Sequence, residues 1–372
     1  MNYKFTNPVV PLMLLRASAG VLSFLRLPAL ILTAVRQAPF IRFFIPILIA
    51  VISAGIGIGA SEVASRVIVD HVAVHSYSVT RNPFKDRFWL VYTQPEPRRT
   101  DKLIVVITNS QGSLLEGRGE DCYAARLQAH LNATDTKHTY TVANWALPGS
   151  NAGELVLLAA RAVDHHPDAI ILSSFSNNFG AEHTKFPLSF ARNDVEQLGY
   201  LPSVRSRLSP KFIKHFKVNR RRGKLAAYSS LLNLHESVAF WIRDPRSKED
   251  RDWSRILNKP PIQSEPVTDT GRRMIEEIHN VLHKALPETP VLVVNMPLGR
   301  TKIVPESWRN TDDFLVESER IFTEPQFKVM DAREIAAPER FYTATHMDPQ
   351  GHDLYARYLL PEVLKYTAKN EL

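Results

Sequence analysis

No aspartate or glutamate occurs in this chain before Glu62, whereas Lys4, Arg16, Arg26, Arg36 and Arg42 all fall in the same stretch. A segment with charge of one sign only is not the mixed surface of an ordinary soluble domain. Cysteine is nearly missing: Cys122 stands alone, which excludes an internal disulfide and leaves a cysteine-based metal site without a second ligand. The whole chain carries 46 Lys+Arg against 38 Asp+Glu. That balance admits nucleic acid, anionic lipid or an acidic polymer as partners. Its distribution along the chain is more informative than its total.

The largest gap in charge is Phe43 to Ser61, FFIPILIAVISAGIGIGAS, 19 residues without an ionisable side chain. A bilayer core takes about 20 residues of helix, so this length suffices to span it. Pro46 is expected in the first helical turn, where proline is tolerated. Gly55, Gly57 and Gly59 are costly in a water-soluble helix but common in membrane helices. A cleaved signal peptide would need the whole of residues 1–42 as its positive region, longer than such regions run. The reading is therefore a single-span anchor at 43–61. Lysine and arginine before it keep the N-terminus cytoplasmic, and residues 62 onward lie outside the inner membrane. Pro11 to Val35 is also apolar but is interrupted by Arg16, Arg26 and Pro28. It reads as a segment lying on the cytoplasmic membrane surface, with a short second span as the alternative.

Residues 62–101 read as a lead-in, and from Lys102 to about residue 370 short apolar runs alternate with amphipathic ones. Strands are expected at 103–108, 140–145, 169–174, 291–296 and 328–332, and helices at 119–132, 152–166 and 269–286. A last helix follows residue 350, broken at Pro361. Strand and helix in alternation imply a parallel sheet covered on both faces, an α/β domain whose ligands bind at the carboxyl ends of the strands. Those ends carry Ser110, then Gly149 and Asn151, then Asn177 and Asn178, then His346 and His352.

That set is chemically coherent. A serine hydroxyl needs a base to take its proton, and histidine suits that task near neutral pH. A tetrahedral intermediate needs preplaced donors, which the Ser110 and Gly149 N–H groups and the Asn177 amide would supply, Asn178 being the less favoured donor. Each element alone has a plainer reading as a turn former. The pair His165-His166 resembles metal ligands but has no third partner in sequence, and reads as a polar helix end.

TNSQGSLLEG, ALPGS, SFSNNF and THMDPQGH resemble blocks I, II, III and V of the SGNH (GDSL-like) hydrolase family. The resemblance covers roughly residues 102–184 and 286–365. It implies a flavodoxin-like three-layer α/β/α fold with a five-stranded parallel sheet, and esterase, lipase or carbohydrate O-acyltransferase chemistry without cofactor or metal. Ser110 takes the nucleophile's place, His346 the base's, and Gly351-His352 the start of the last helix. The sequence departs from the family at Thr108 and Asn109, which replace Gly-Asp, and at Phe175, which replaces a glycine. Thr343 stands where the family has the aspartate that orients its histidine. A Ser–His dyad oriented by Thr343 or a backbone carbonyl is expected, and Asp348 is a nearby acid of unknown direction.

An insertion at about 185–268 holds nine Lys/Arg and no acid between Arg205 and Lys224. Lys211, Lys214, Lys217, Arg220, Arg221 and Arg222 are candidate contacts for anionic headgroups or polysaccharide, around an apolar face of Phe212, Ile213 and Phe216. A plain solvated surface is the alternative. The stretch at 236–244 and Trp253 add aromatic surface. The expectation is a membrane-anchored esterase or O-acyl(acetyl)transferase acting on a carbohydrate or acyl ester of the envelope, with no nucleic-acid partner. By resemblance it implies a membrane-bound acyltransferase as partner. A non-catalytic polysaccharide-binding scaffold and a lipid esterase with a basic lid remain the alternatives.

Overall fold

The computed structural model describes residues 39–76, 101–112, 121–147, 150–184, 198–199, 201–215 and 260–368. Residues 11–35, Gly149, Lys217, Arg220 to Arg222, Phe216, the stretch 236–244 and Trp253 lie outside them.

Helix α1, Pro39–Ser76, contains the charge-free run. Among the described residues it is the one helix long and apolar enough to cross a membrane, over Pro46–Ser65, 20 residues of mean hydropathy 2.0. Its apolar side chains, among them Ile47, Ile49, Val51, Ile52, Ile56 and Ile58, are exposed. A helix apolar on every side has no stripe to bury and belongs in a membrane or a large core. Pro46 falls inside the helix rather than in its first turn, because the helix begins seven residues earlier.

The second unit is built on five parallel strands: β1 Lys102–Asn109, β2 Tyr140–Leu147, β3 Ala169–Ser174, β4 Val291–Asn295 and β5 Phe327–Asp331. Their order is β2-β1-β3-β4-β5, the flavodoxin-like arrangement with its switch point between β1 and β3. Successive side chains on a strand face opposite ways, and β1 shows the consequence. Leu103, Val105 and Ile107 enter one core with helices α3 (Ala152–Ala162) and α6 (Asp269–Ala285). Ile104 and Val106 enter the other, with α2 (Tyr123–Thr134) and the last helix, α8 (Pro349–Ala368). A sheet buried on both faces needs continuous apolar strands, which is why β1 reads as an unbroken run.

Short elements complete the described part. α4, Pro202–Arg207, and α5, Pro210–His215, belong to the insertion, and α7, Asp313–Ile321, lies between β4 and β5. Phe212 is buried among the α3 and α6 residues, while Lys211 and Lys214 are exposed. α8 runs unbroken through Pro361. Proline forfeits one helical hydrogen bond there, but Leu359 and Val363 on either side are fully buried and hold the helix to the sheet. His166 ends the turn after α3 with φ 45°, and His165 meets the Trp145 ring edge-on. These are helix-end roles.

Candidate active site

Ser110 opens a 3-10 turn, Ser110–Gly112, directly after β1. The Asn109 Oδ1 accepts the Gln111 N–H at 2.8 Å, an Asx turn that ends the strand. Gly112 is needed for a different reason. A Cβ there would stand 2.4 Å from Thr108 Cγ2 and 2.7 Å from Ala146 Cβ, so the turn folds back onto β1 and β2 too closely for a side chain. The Asn144 amide also donates to the Gly112 carbonyl at 2.8 Å. A polar turn follows a buried strand here because the turn is packed against the strand ends.

Two bonds tie this turn and the strand residue before it to the neighbouring loops. Asn109 Nδ2 donates to Asn178 Oδ1 at 3.0 Å, across the switch point between β1 and β3. Asn178 Oδ1 also accepts from Ser174 Oγ at 3.0 Å, and its Nδ2 donates to the Ser150 carbonyl at 3.1 Å. Gln111 Nε2 donates to the Pro297 carbonyl at 2.6 Å, in the loop that leaves β4. Two residues on, the Gly299 N–H donates to the Ala344 carbonyl at 2.9 Å. Ala344 lies in the tight loop that carries His346, whose ends pair at Phe341 and Met347. The β4 exit loop thus holds the serine turn on one side and the histidine loop on the other. Ala344, Met296, Leu298, Ile303 and Phe175 form a small apolar cluster beneath them.

His346 is half-buried, and its Nδ1 lies 2.7 Å from Thr343 Oγ1 and 3.3 Å from Thr345 Oγ1. Asp348 is engaged elsewhere: its carboxylate accepts the Gly351 N–H at 2.7 Å, at the start of α8, and pairs with Arg340 at 3.2 Å. An acid at a helix N-terminus is well placed for that role and poorly placed to orient His346.

The other expected residues divide clearly. Asn177 sits in the 3-10 turn Ser176–Phe179 after β3. Its Oδ1 accepts from Ser264 Oγ at 3.1 Å and Glu265 N at 3.0 Å, while its Nδ2 donates to the Gln263 carbonyl at 3.2 Å. An amide carries two N–H hydrogens, so one remains for a ligand. Asn178 is buried and links β1, β3 and the Ser150 loop through both ends of its amide. Asn151 caps α3 in a reciprocal capping box with the buried Glu154. His352 is fully buried, and its Nδ1 accepts the Tyr123 N–H at 3.2 Å, satisfying an orphan donor at the start of α2. Burial, with the charge of nearby His346 adding, pushes the His352 pKa down to about 3. It is a neutral support under the loop. Among the described residues no cluster of three metal-ligating side chains occurs.

Sequence reasoning missed Gln111 and the 263–265 segment. Gln111 is fully buried beside the half-buried Ser110 and has no periodicity to reveal it. The segment at 263–265 falls within the insertion by sequence, yet Ile262 pairs with Ile303 and residues 263–265 bond to Asn177.

Strand order and loops together define an α/β/α domain with a serine turn and a histidine loop gathered at the carboxyl rim of the sheet. No protein-family model matches the chain, and no curated protein does. Among solved structures it is similar to a protein described as a GDSL-like lipase from Bacteroides ovatus, at 14% identity over 71% of this chain and 53% of that one, TM-score 0.38. It is also similar to a lipase/acylhydrolase from Enterococcus faecalis, at 10% identity over 70% of this chain and 95% of that one, TM-score 0.39. A third is a carbohydrate esterase family 3 structure from Talaromyces cellulolyticus, at 8% identity over 72% of this chain and 99% of that one, TM-score 0.39. The chain spans about half the length of the first. Likeness at this level leaves the chemistry to be argued from the site.

Proposed function

We propose that the protein is a membrane-anchored serine esterase or O-acyltransferase acting on acyl esters of an envelope carbohydrate. The observation that carries this reading is the β4 exit loop, bonded to the serine turn through Pro297 and to the histidine loop through Gly299. A serine, a histidine and an amide donor at the carboxyl ends of parallel strands match the roles of nucleophile, base and oxyanion donor.

In the first step Ser110 Oγ attacks the ester carbonyl, and its proton passes to His346. The carbonyl becomes an oxyanion, held by the second Asn177 hydrogen and by the backbone N–H groups of Ser110 and Gly149. Collapse expels the sugar alkoxide, which takes the proton from His346 and leaves an acyl-serine. Water or a second sugar hydroxyl then attacks, giving the free acid or the transferred ester and restoring Ser110. The charge-free run 43–61 within α1 would supply the anchor, with residues 1–42 on the cytoplasmic side and the site outside. Lys211 and Lys214, exposed on α5, favour an anionic substrate or headgroup together with the basic residues that follow them. By family resemblance a membrane-bound acyltransferase would supply acyl groups. A non-catalytic, carbohydrate-binding role is the second reading, and Thr343 in place of an acid favours it.

Covalent labelling of the full chain with a fluorophosphonate separates the two. Labelling that disappears in Ser110→Ala is expected. A folded wild-type chain that never labels, with or without membranes from its host, would refute the catalytic reading.

A further inference from the structure

The hydrogen-bond partners of Thr343 specify which nitrogen of His346 carries its proton. A threonine hydroxyl has one hydrogen and two lone pairs. Thr343 Oγ1 accepts the backbone N–H of His346 at 3.2 Å and that of Thr345 at 3.4 Å. Both lone pairs are therefore in use. Its third contact, and its shortest, is His346 Nδ1 at 2.7 Å. Among the described residues Nδ1 is the acceptor within reach of the remaining hydroxyl hydrogen.

We propose that Thr343 donates its hydroxyl hydrogen to His346 Nδ1 and so holds the resting imidazole as its Nε2–H tautomer. The inference deepens the reading of Ser110 and His346 as a catalytic pair, and its consequence for rate rests on that reading. An aspartate in this place accepts from Nδ1–H and leaves the Nε2 lone pair for the serine proton. A hydroxyl with both lone pairs filled does the reverse. Nε2 then bears a hydrogen and cannot take another from Ser110. Activity requires the Nε2 proton to pass to solvent and a solvent proton to arrive on Nδ1, with the Thr343 O–H turning away. Thr345 Oγ1, 3.3 Å from Nδ1, is placed to accept that new N–H. Thr343 is thus a positioning residue that slows, without abolishing, proton transfer from the serine until substrate or a partner offsets the tautomer change. The backbone bonds to Thr343 Oγ1 come from the loop's own fold, so the assignment is built into the main chain.

The test reads the tautomer directly, without activity. The full chain, labelled with nitrogen-15 histidine and reconstituted in lipid, is examined by NMR at a pH where His346 is neutral. The His346 signals are identified by their loss in His346→Gln. A protonated Nε2 beside an unprotonated Nδ1 is expected, retained in Thr343→Ser and lost to a mixture in Thr343→Val. A protonated Nδ1 in the wild type would overturn the proposal. Thr343→Asp should bring the hydrogen to Nδ1 and raise the rate of fluorophosphonate labelling at Ser110 at least tenfold. An Nε2–H wild type in which no variant labels would sink the catalytic pair while leaving the tautomer assignment standing. A wild type that labels readily with Nδ1–H would do the opposite.

Discussion

His352 has a neighbour that makes its protonation costly. Its Nδ1 accepts the Tyr123 N–H, and its ring stacks on the Tyr123 ring with centroids 5.9 Å apart. A proton on Nδ1 would set two N–H groups against each other in a fully buried place. Unfolded histidine titrates near 6.5, and here burial pushes the value down to about 3. The unfolded chain therefore binds the extra proton first. Stability is complete above about pH 6.5, falls as the pH drops from there toward 3, and levels off below. The slope from this one group is at most about 1.4 kcal/mol per pH unit. Urea midpoints measured between pH 7 and 4 should fall steadily in the wild type. In His352→Gln, whose amide oxygen can still accept from Tyr123, the curve should be flatter and start lower. Equal slopes in the two proteins would show that His352 is not the group responsible.

At the scale of elements, the five strands were legible because each is an apolar run bounded by polar turns. Periodicity carries no information on which strand lies beside which, and the order found is the one implied by the flavodoxin-like resemblance. The histidine loop shows the same division. THMDPQGH pointed to His346, but the direction of Asp348 depended on Arg340 and Gly351, which no spacing rule connects to it. The insertion was legible as a basic stretch with an apolar face, and in its described part Phe212 from that face is buried in the core with Ile213 packed against it. Asp164 does much of the docking: it pairs with Arg161 at 2.5 Å and Arg207 at 2.5 Å, and accepts from Ser203 Oγ at 2.9 Å. Burial alone would raise its carboxyl, but the Arg207, Arg161 and Ser203 hydrogen bonds outweigh that and hold it below the ordinary range. Asp164→Ala removes the shared acceptor and leaves two guanidinium groups close together. A local loss of about 1–2 kcal/mol, and hence roughly tenfold faster tryptic cleavage between Arg205 and Lys224, is expected. Unchanged cleavage would mean that Val204, Leu208 and Phe212 hold α4 and α5 without the charges.

For the whole molecule the proposed anchor in α1 raises the question of which side of a membrane would receive the α/β domain. An α/β domain buried on both sheet faces needs no disulfide, and the lone Cys122 is itself buried, its thiol pushed up by burial. It is chemically quiet in an oxidising or a reducing compartment, so cysteine content is neutral on the point. The charge bias is not neutral. Five basic residues and no acid precede Phe43, and positive flanks are retained on the cytoplasmic side. Alkaline phosphatase fused after Leu372 should therefore be active, because it matures only outside, and green fluorescent protein fused there should be dark. The full chain should also resist extraction by alkaline carbonate, as a spanning helix does and a surface-bound one does not. A fluorescent fusion with an inactive phosphatase would put Ser110 in the cytoplasm and remove exported carbohydrate from its reach. The same fusions bear on residues 11–35. A second span there would place both ends of the chain on one side, so an N-terminal reporter matching the C-terminal one would establish it. Opposite readings would keep that segment on the surface and leave α1 as the single crossing.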